Sequence, residues 1–185
     1  MNTAKTATSK ITPAEMERRT ARFADMMPSA EPFLDTRIPE YAREAFNVIG
    51  HGVTEDPDLA PAITAADGFN VTYIRAEPGK GAAAHDHATA EVFIPLTGRW
   101  TIIWSPVGDD GSLHETELGP MDVISVPAGV MRGFRNCGDD TALLLVILEG
   151  TDSGTVTWDP QVVEEARKTG LALNEAGELI EVAQG

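Results

Sequence analysis

From residue 46 to residue 149 the chain is built of short apolar or alternating runs, each bounded by Gly, Pro, Asp or Asn. Period-two alternation with that punctuation predicts β-strands. They fall near 46–50, 69–77, 82–87, 91–96, 99–105, 113–118, 122–126, 132–136 and 142–149. Val107 to Gly111 and Asn136 to Asp140 read as turns, rich in Gly, Asp and Asn. Many short strands at this spacing predict an all-β, antiparallel sandwich or barrel. The run Leu143 to Leu148 is apolar at every position. Such a strand needs cover on both faces, from the barrel interior and from a helix or a second subunit.

The two ends read differently. Thr12-Pro13-Ala14-Glu15 is a helix start, with a capping Thr, a Pro at the first helical position and a Glu to close the capping box. The predicted helix runs to about Met27, with Met16, Phe23, Met26 and Met27 as an apolar stripe that packs on the body. A short second helix is expected over Pro39 to Phe46. Toward the C-terminus, Asp159-Pro160 opens a helix ending near Gly170, and 171–182 reads as a hairpin turning at Asn174 to Gly177. The expected division is an N-terminal helical arm over 1–45, a barrel over 46–150, and a helix and hairpin over 151–185 that pack on the barrel.

Charge narrows the partners. The net charge is -15, and residues 1–50 are neutral, so the whole excess lies beyond them. Such acidity repels phosphate backbones and anionic lipid, so neither nucleic acid nor a membrane surface is expected as a partner. The longest apolar run falls far short of the roughly 20 residues that cross a bilayer. No apolar stretch follows the early lysines, and a single cysteine, Cys137, cannot form an internal disulfide. A cytoplasmic location is the expectation.

The chemistry-bearing residues are His85-Asp86-His87 and, four positions on, Glu91. Residues i and i+2 of a strand share a face, so the two imidazoles can converge. Two neutral imidazoles and one carboxylate form a facial set for a divalent transition metal, with positions left for a substrate. Fe(II) is favoured, and Mn, Ni or Zn suit the same donors. Gly79 precedes His85 by six residues, and Gly98 follows Glu91 by seven.

This stretch resembles the first motif of the cupin superfamily, G-x5-H-x-H-x3-E-x6-G. Asp122 to Asn136 resembles the second, G-D-x4-P-x-G-x2-H-x3-N. The resemblance implies a small antiparallel β-barrel, or jelly roll, of the single-domain type. Two positions depart. Met121 stands for the glycine of the second motif, where a slightly shifted turn is expected. Arg132 stands where the third histidine ligand belongs. A guanidinium has no lone pair for a metal. At about 5 Å from a divalent ion it costs roughly 7 kcal/mol in a medium of effective dielectric near 20.

Three arrangements remain open. His85, His87 and Glu91 hold an ion while Arg132 pairs elsewhere or anchors a substrate carboxylate. Alternatively, Arg132 pairs with Glu91 in a metal-free pocket that binds an organic acid. In the third, a distant histidine, His51 or His114, completes the ion. Tyr73, Arg75, Phe93 and Phe134 are candidate pocket residues by strand parity. Trp100 and Trp104 read as packing residues, Asn136 as the tie of a turn, and Cys137 as a small buried residue. The expected function is a metal-binding protein acting on a small organic acid, a dioxygenase-like oxidoreductase by resemblance. The alternative is a carboxylate-binding barrel without metal or catalysis. The two-sided strand and the neutral arm, with the resemblance, favour a homodimer.

Overall fold

The computed structural model describes residues 10–105, 112–151 and 153–183. The turn expected at Val107 to Gly111 lies outside the described residues.

Two five-stranded antiparallel sheets face each other, as the alternation requires. Strands β1 (Glu44–Ile49), β2 (Phe69–Ala76), β3 (Gly81–Asp86), β4 (Glu91–Pro95), β5 (Trp100–Ser105), β6 (His114–Leu118), β7 (Ile124–Val126), β8 (Met131–Asn136), β9 (Ala142–Glu149) and β10 (Thr157–Trp158) build them. One sheet has the order β1-β2-β9-β4-β7, the other β10-β3-β8-β5-β6. This is the jelly-roll barrel that the resemblance implies. Period-two burial is plain in β2 and β9. Asn70, Thr72, Ile74 and Ala76 point inward from β2, and Ala142, Leu144, Val146 and Leu148 from β9. Phe93, Trp100, Ile102 and Phe134 fill the space between the sheets.

Strand β9 lies between β2 and β4, so both its edges are hydrogen-bonded. Its outward residues Leu143, Leu145 and Ile147 are half-buried.

The N-terminal helix is far shorter than the apolar stripe suggests. Helix α1 spans Pro13–Glu17 with the capping box formed, and it buries no residue. Arg18 and Arg19 follow, and a helix with no buried face gains little from extension. The chain instead runs along the first sheet. There Phe23, in a single 3-10 turn, packs its ring 5.1 Å from Phe46 and 5.6 Å from Tyr73. Met27 remains 82% exposed, so the stripe is not a packing face. The helix expected over Pro39 to Phe46 is only a 3-10 turn, Pro39–Tyr41, because β1 begins at Glu44 and pairs with β2.

Helix α2 (Pro160–Lys168) is capped by the Asp159 carboxylate and buries Val162 and Ala166. Strands β11 (Leu171–Leu173) and β12 (Leu179–Glu181) form the expected hairpin.

Met121 adopts φ +72°, the one described non-glycine residue in the left-handed region. The turn is therefore not shifted. The backbone keeps the conformation a glycine would take, and an exposed methionine adopts it. Glycine is required at Gly98, where φ is +68° and an added Cβ would meet the Ala142 Cβ at 2.5 Å.

Candidate metal centre

The strand period and one tight corner bring the three donors together. His85 is the last inward residue of β3, His87 lies just past that strand, and Glu91 opens β4 in the facing sheet. The triad thus spans the corner where the chain crosses from one sheet to the other. All three side chains are buried, and their ligand atoms lie within 4.8 Å of one another. Donors about 2.0–2.2 Å from one ion are at most roughly 4.4 Å apart, so closing on an ion needs only small side-chain shifts. His51 and His114 are not part of this cluster.

The hydrogen bonds prepare the donors. His85 Nδ1 lies 2.8 Å from the Ala83 carbonyl, which fixes the proton there and leaves the Nε2 lone pair free. Burial, partly offset by the Glu91 charge, pushes the His85 pKa down to about 4, so the ring is neutral near pH 7. His87 Nδ1 is 3.1 Å from the Thr89 hydroxyl, and His87 Nε2 is 3.1 Å from Glu91 Oε2. In this arrangement Nε2–H donates to the carboxylate and Nδ1 accepts from Thr89. Moving that proton to Nδ1, with Thr89 as acceptor, frees Nε2 for an ion.

Arg132 sits directly opposite His85 in the β3–β8 ladder. Its Nε is 3.5 Å from Glu91 Oε2, and its Nη2 donates to the Pro127 carbonyl at 2.8 Å. Burial lowers its pKa from the ordinary value, while the Glu91 and Asp86 charges oppose that shift. On the other side of His85, Trp158 of β10 is its register partner, with the rings 5.2 Å apart. One row across the sheet therefore reads Trp158, His85, Arg132.

Beside the triad the barrel encloses a cavity of about 30 Å³ open to water-sized molecules. On that measure it holds two or three waters. Phe134 is in its wall, with Arg43, Thr72, Ile74, His85 and Glu91 among the others. Phe93 is fully buried against Phe134, with rings 5.6 Å apart, and does not reach the cavity. Tyr73 and Arg75 do not line it either. They share a strand face, but it is the outer one: Tyr73 meets Phe23, and Arg75 Nε donates to Glu44 at 2.5 Å. Their neighbours Thr72 and Ile74 take the inward positions. Asn136 bonds the Ala76 and Asp140 carbonyls and so ties its turn, while Cys137 is half-buried.

Residues outside the two motifs close the cavity. Arg43 donates through Nη1 to Asp35 Oδ1 at 2.8 Å, and to the Gly81 and Tyr41 carbonyls, each at 2.9 Å. Asp35 Oδ2 accepts from Ala83 N at 2.9 Å. Glu55 accepts from Trp158 Nε1 at 2.8 Å and from Leu34 N at 2.6 Å. Burial pushes its pKa up to about 7. In the sequence Asp35, Arg43 and Glu55 have no shared spacing, and Glu55 lies in the acidic stretch Thr54-Glu55-Asp56 that reads as solvent-facing. The run Phe33-Leu34-Asp35 carries the one hint, a carboxylate between apolar neighbours and the barrel.

Fold and site together define a cupin-type barrel with a buried His-His-Glu cluster. Residues 72–148 match the Cupin domain, which with the fold supports the cupin superfamily. No curated protein matches the chain. Among solved structures, an oxalate oxidase in complex with the substrate analogue glycolate aligns at TM-score 0.51 and 15% identity, over 65% of this chain and 57% of that one. The chain therefore spans little more than half of that protein's length. Peruvianin-I, a cysteine peptidase from Thevetia peruviana latex, aligns at TM-score 0.57 and 16% identity, over 80% and 83% of the two chains. At such identity these likenesses show the fold alone. No helix among the described residues is long and apolar enough to cross a membrane.

Proposed function

We propose that the barrel holds one divalent transition metal on His85, His87 and Glu91 and acts on a small organic acid, as a dioxygenase-like oxidoreductase. The observation that carries this reading is the buried triad, with both imidazoles held by second partners and the His85 Nε2 lone pair free. Fe(II) suits two nitrogens and one carboxylate with positions left open; Mn, Ni and Zn suit the same donors. Bound there, such an ion supplies Lewis acidity or one-electron redox chemistry. The chain's own residues supply the rest. Thr89 receives the His87 proton, and Arg132 offsets the Glu91 charge. The Arg132 Nε and Nη1 donors have no hydrogen bond of their own and can anchor a ligand carboxylate. The cavity suits a ligand of few atoms, which agrees with a glycolate-binding relative of the same fold.

Protein prepared without chelators should carry close to one transition-metal equivalent per chain, and His87→Ala should abolish it. Elemental analysis that finds none after reconstitution with Fe(II), Mn(II) and Zn(II) would favour the second reading. That reading is a metal-free carboxylate binder in a cytoplasmic setting, and the 3.5 Å approach of Arg132 to Glu91 speaks for it. We also propose a homodimer that covers Leu143, Leu145 and Ile147 of β9. Light scattering showing a monomer at micromolar concentration removes it.

A further inference from the structure

Three buried side-chain polar atoms among the described residues lack a hydrogen bond: Arg132 Nε, Arg132 Nη1 and Arg43 Nε. All are guanidinium donors, and both arginines border the same centre. Charged donors left bare in a protein interior point to an anionic acceptor. Of the two arginines, Arg43 is the one in the cavity wall, together with His85 and Glu91. Its side chain is only 2% exposed. Its Cζ lies 4.7 Å from the Phe33 ring centroid and 5.7 Å from that of Phe134, so two aromatic faces hold the guanidinium in place. Its Nη1 is used up by Asp35, Tyr41 and Gly81, and Nε–H is the buried donor left without a hydrogen bond.

The ladder separates the two arginines. Arg132 is opposite His85, whereas Arg43 is bonded at Gly81, which is opposite Arg135, three residues farther along β8. Asp35 neutralises Arg43 and Glu91 neutralises Arg132. A divalent ion on the triad would therefore leave the site with unbalanced positive charge. An incoming anion restores the balance.

We infer that Arg43 is a further acid-recognising residue inside the barrel, alongside Arg132. Its Nε–H receives one carboxylate oxygen of a small acid whose second oxygen function lies on the His85, His87 and Glu91 centre. This rests on the metal reading above, and it makes the preferred ligand two-ended: a hydroxy acid or a diacid of a few atoms rather than a simple monoacid.

Glycolate and acetate, titrated calorimetrically into metal-loaded protein, separate the two ideas. Wild type should bind glycolate at least tenfold more tightly than acetate. Arg43→Lys keeps a cation beside Asp35 but removes Nε–H. It should erase that preference while metal content stays unchanged. A preference that survives Arg43→Lys overturns the inference, and so does wild type that binds both acids alike; the metal reading stands in both cases. If metal-loaded wild type binds neither acid, the reading itself fails and takes the inference with it. Should Arg43→Lys not fold, nitrogen-edited NMR of wild type decides. The Arg43 Nε–H resonance should shift with glycolate and hardly with acetate, and an unmoved resonance refutes the assignment.

Discussion

Two groups of buried polar side chains stand by the cavity as two walls, and of them His85, Glu91, Arg43 and Trp158 line it. On one side stand His85, His87, Glu91 and Arg132, set by strand period and one tight corner, with donor atoms still free. On the other stand Asp35, Arg43, Glu55 and Trp158, drawn from four separate segments and largely bound to one another. The first wall is equipped to bind something from outside. The second is held chiefly by its own contacts: the Glu55 carboxylate alone fastens Leu34 and Trp158. Buried polar groups thus serve two ends here. Removing one from the first wall should cost function, and removing one from the second should cost stability; Arg43, with its bare Nε–H, shares in both.

The largest expected effect follows directly. Asp35→Ala leaves the Arg43 guanidinium buried beside no carboxylate, a loss of about 3–5 kcal/mol in urea unfolding. His87→Ala should cost far less stability in metal-free protein, because Glu91 keeps Arg132 as its charge partner. Equal losses in the two variants would erase the contrast between the walls.

A second effect separates the walls by pH, measured in the presence of chelator. The Glu55 pKa rises from 4.5 to about 7 on folding, so its contribution is complete below pH 4.5 and is lost as pH climbs through 7. The His85 pKa falls from 6.5 to about 4, so its contribution is complete above pH 6.5 and is lost as pH drops toward 4. Each shift amounts to on the order of 3 kcal/mol. Stability should therefore pass through a maximum between these limits. Glu55→Gln should remove the alkaline decline and, because its opposing slope also goes, steepen the rise between about pH 4.5 and 6.5 that His85 carries. An unchanged alkaline slope would mean that the Glu55 carboxyl, with Asp35 and Arg43 nearby, is not the group that titrates.

The smallest effect concerns the motif wall's own frame. Met121→Gly relieves the left-handed backbone of a side chain at a cost in unfolded-state entropy, a net gain of about 1 kcal/mol or less. Thermal melting that shows a loss would assign the methionine side chain a contact it does not make as an exposed residue.

The same division explains what could be read from the chain. The barrel strands and the triad were legible because period-two burial and a fixed spacing are local properties, and His85, His87 and Glu91 lie within seven residues. Tyr73 and Arg75 show the limit of that logic: parity says which residues share a face, not which face is inward. The long N-terminal helix failed for a related reason. A stripe of Met and Phe predicts a packing face only if a surface awaits it, and Phe23 packs on one while Met16 and Met27 stay exposed. Beyond the hint at Phe33-Leu34-Asp35, the roles of Asp35, Arg43 and Glu55 were not legible, since their partners are set by tertiary contacts up to 103 positions apart.

Strand β9 carries a consequence for how the molecule forms. Its ladder partners are β2, where Phe69 meets Glu149, and β4, where Glu91 meets Leu148. Both pairings span more than fifty residues of chain, so loop closure must precede any reward, and folding of this class runs on milliseconds to seconds. During that interval the stretch Leu143 to Leu148, apolar at every position and free of Gly, Pro and charge, is an open template for its own copies. A nascent chain is therefore most vulnerable after β9 has been made and before β2 and β4 enclose it. Production at low temperature or low concentration should favour the folded barrel over aggregates.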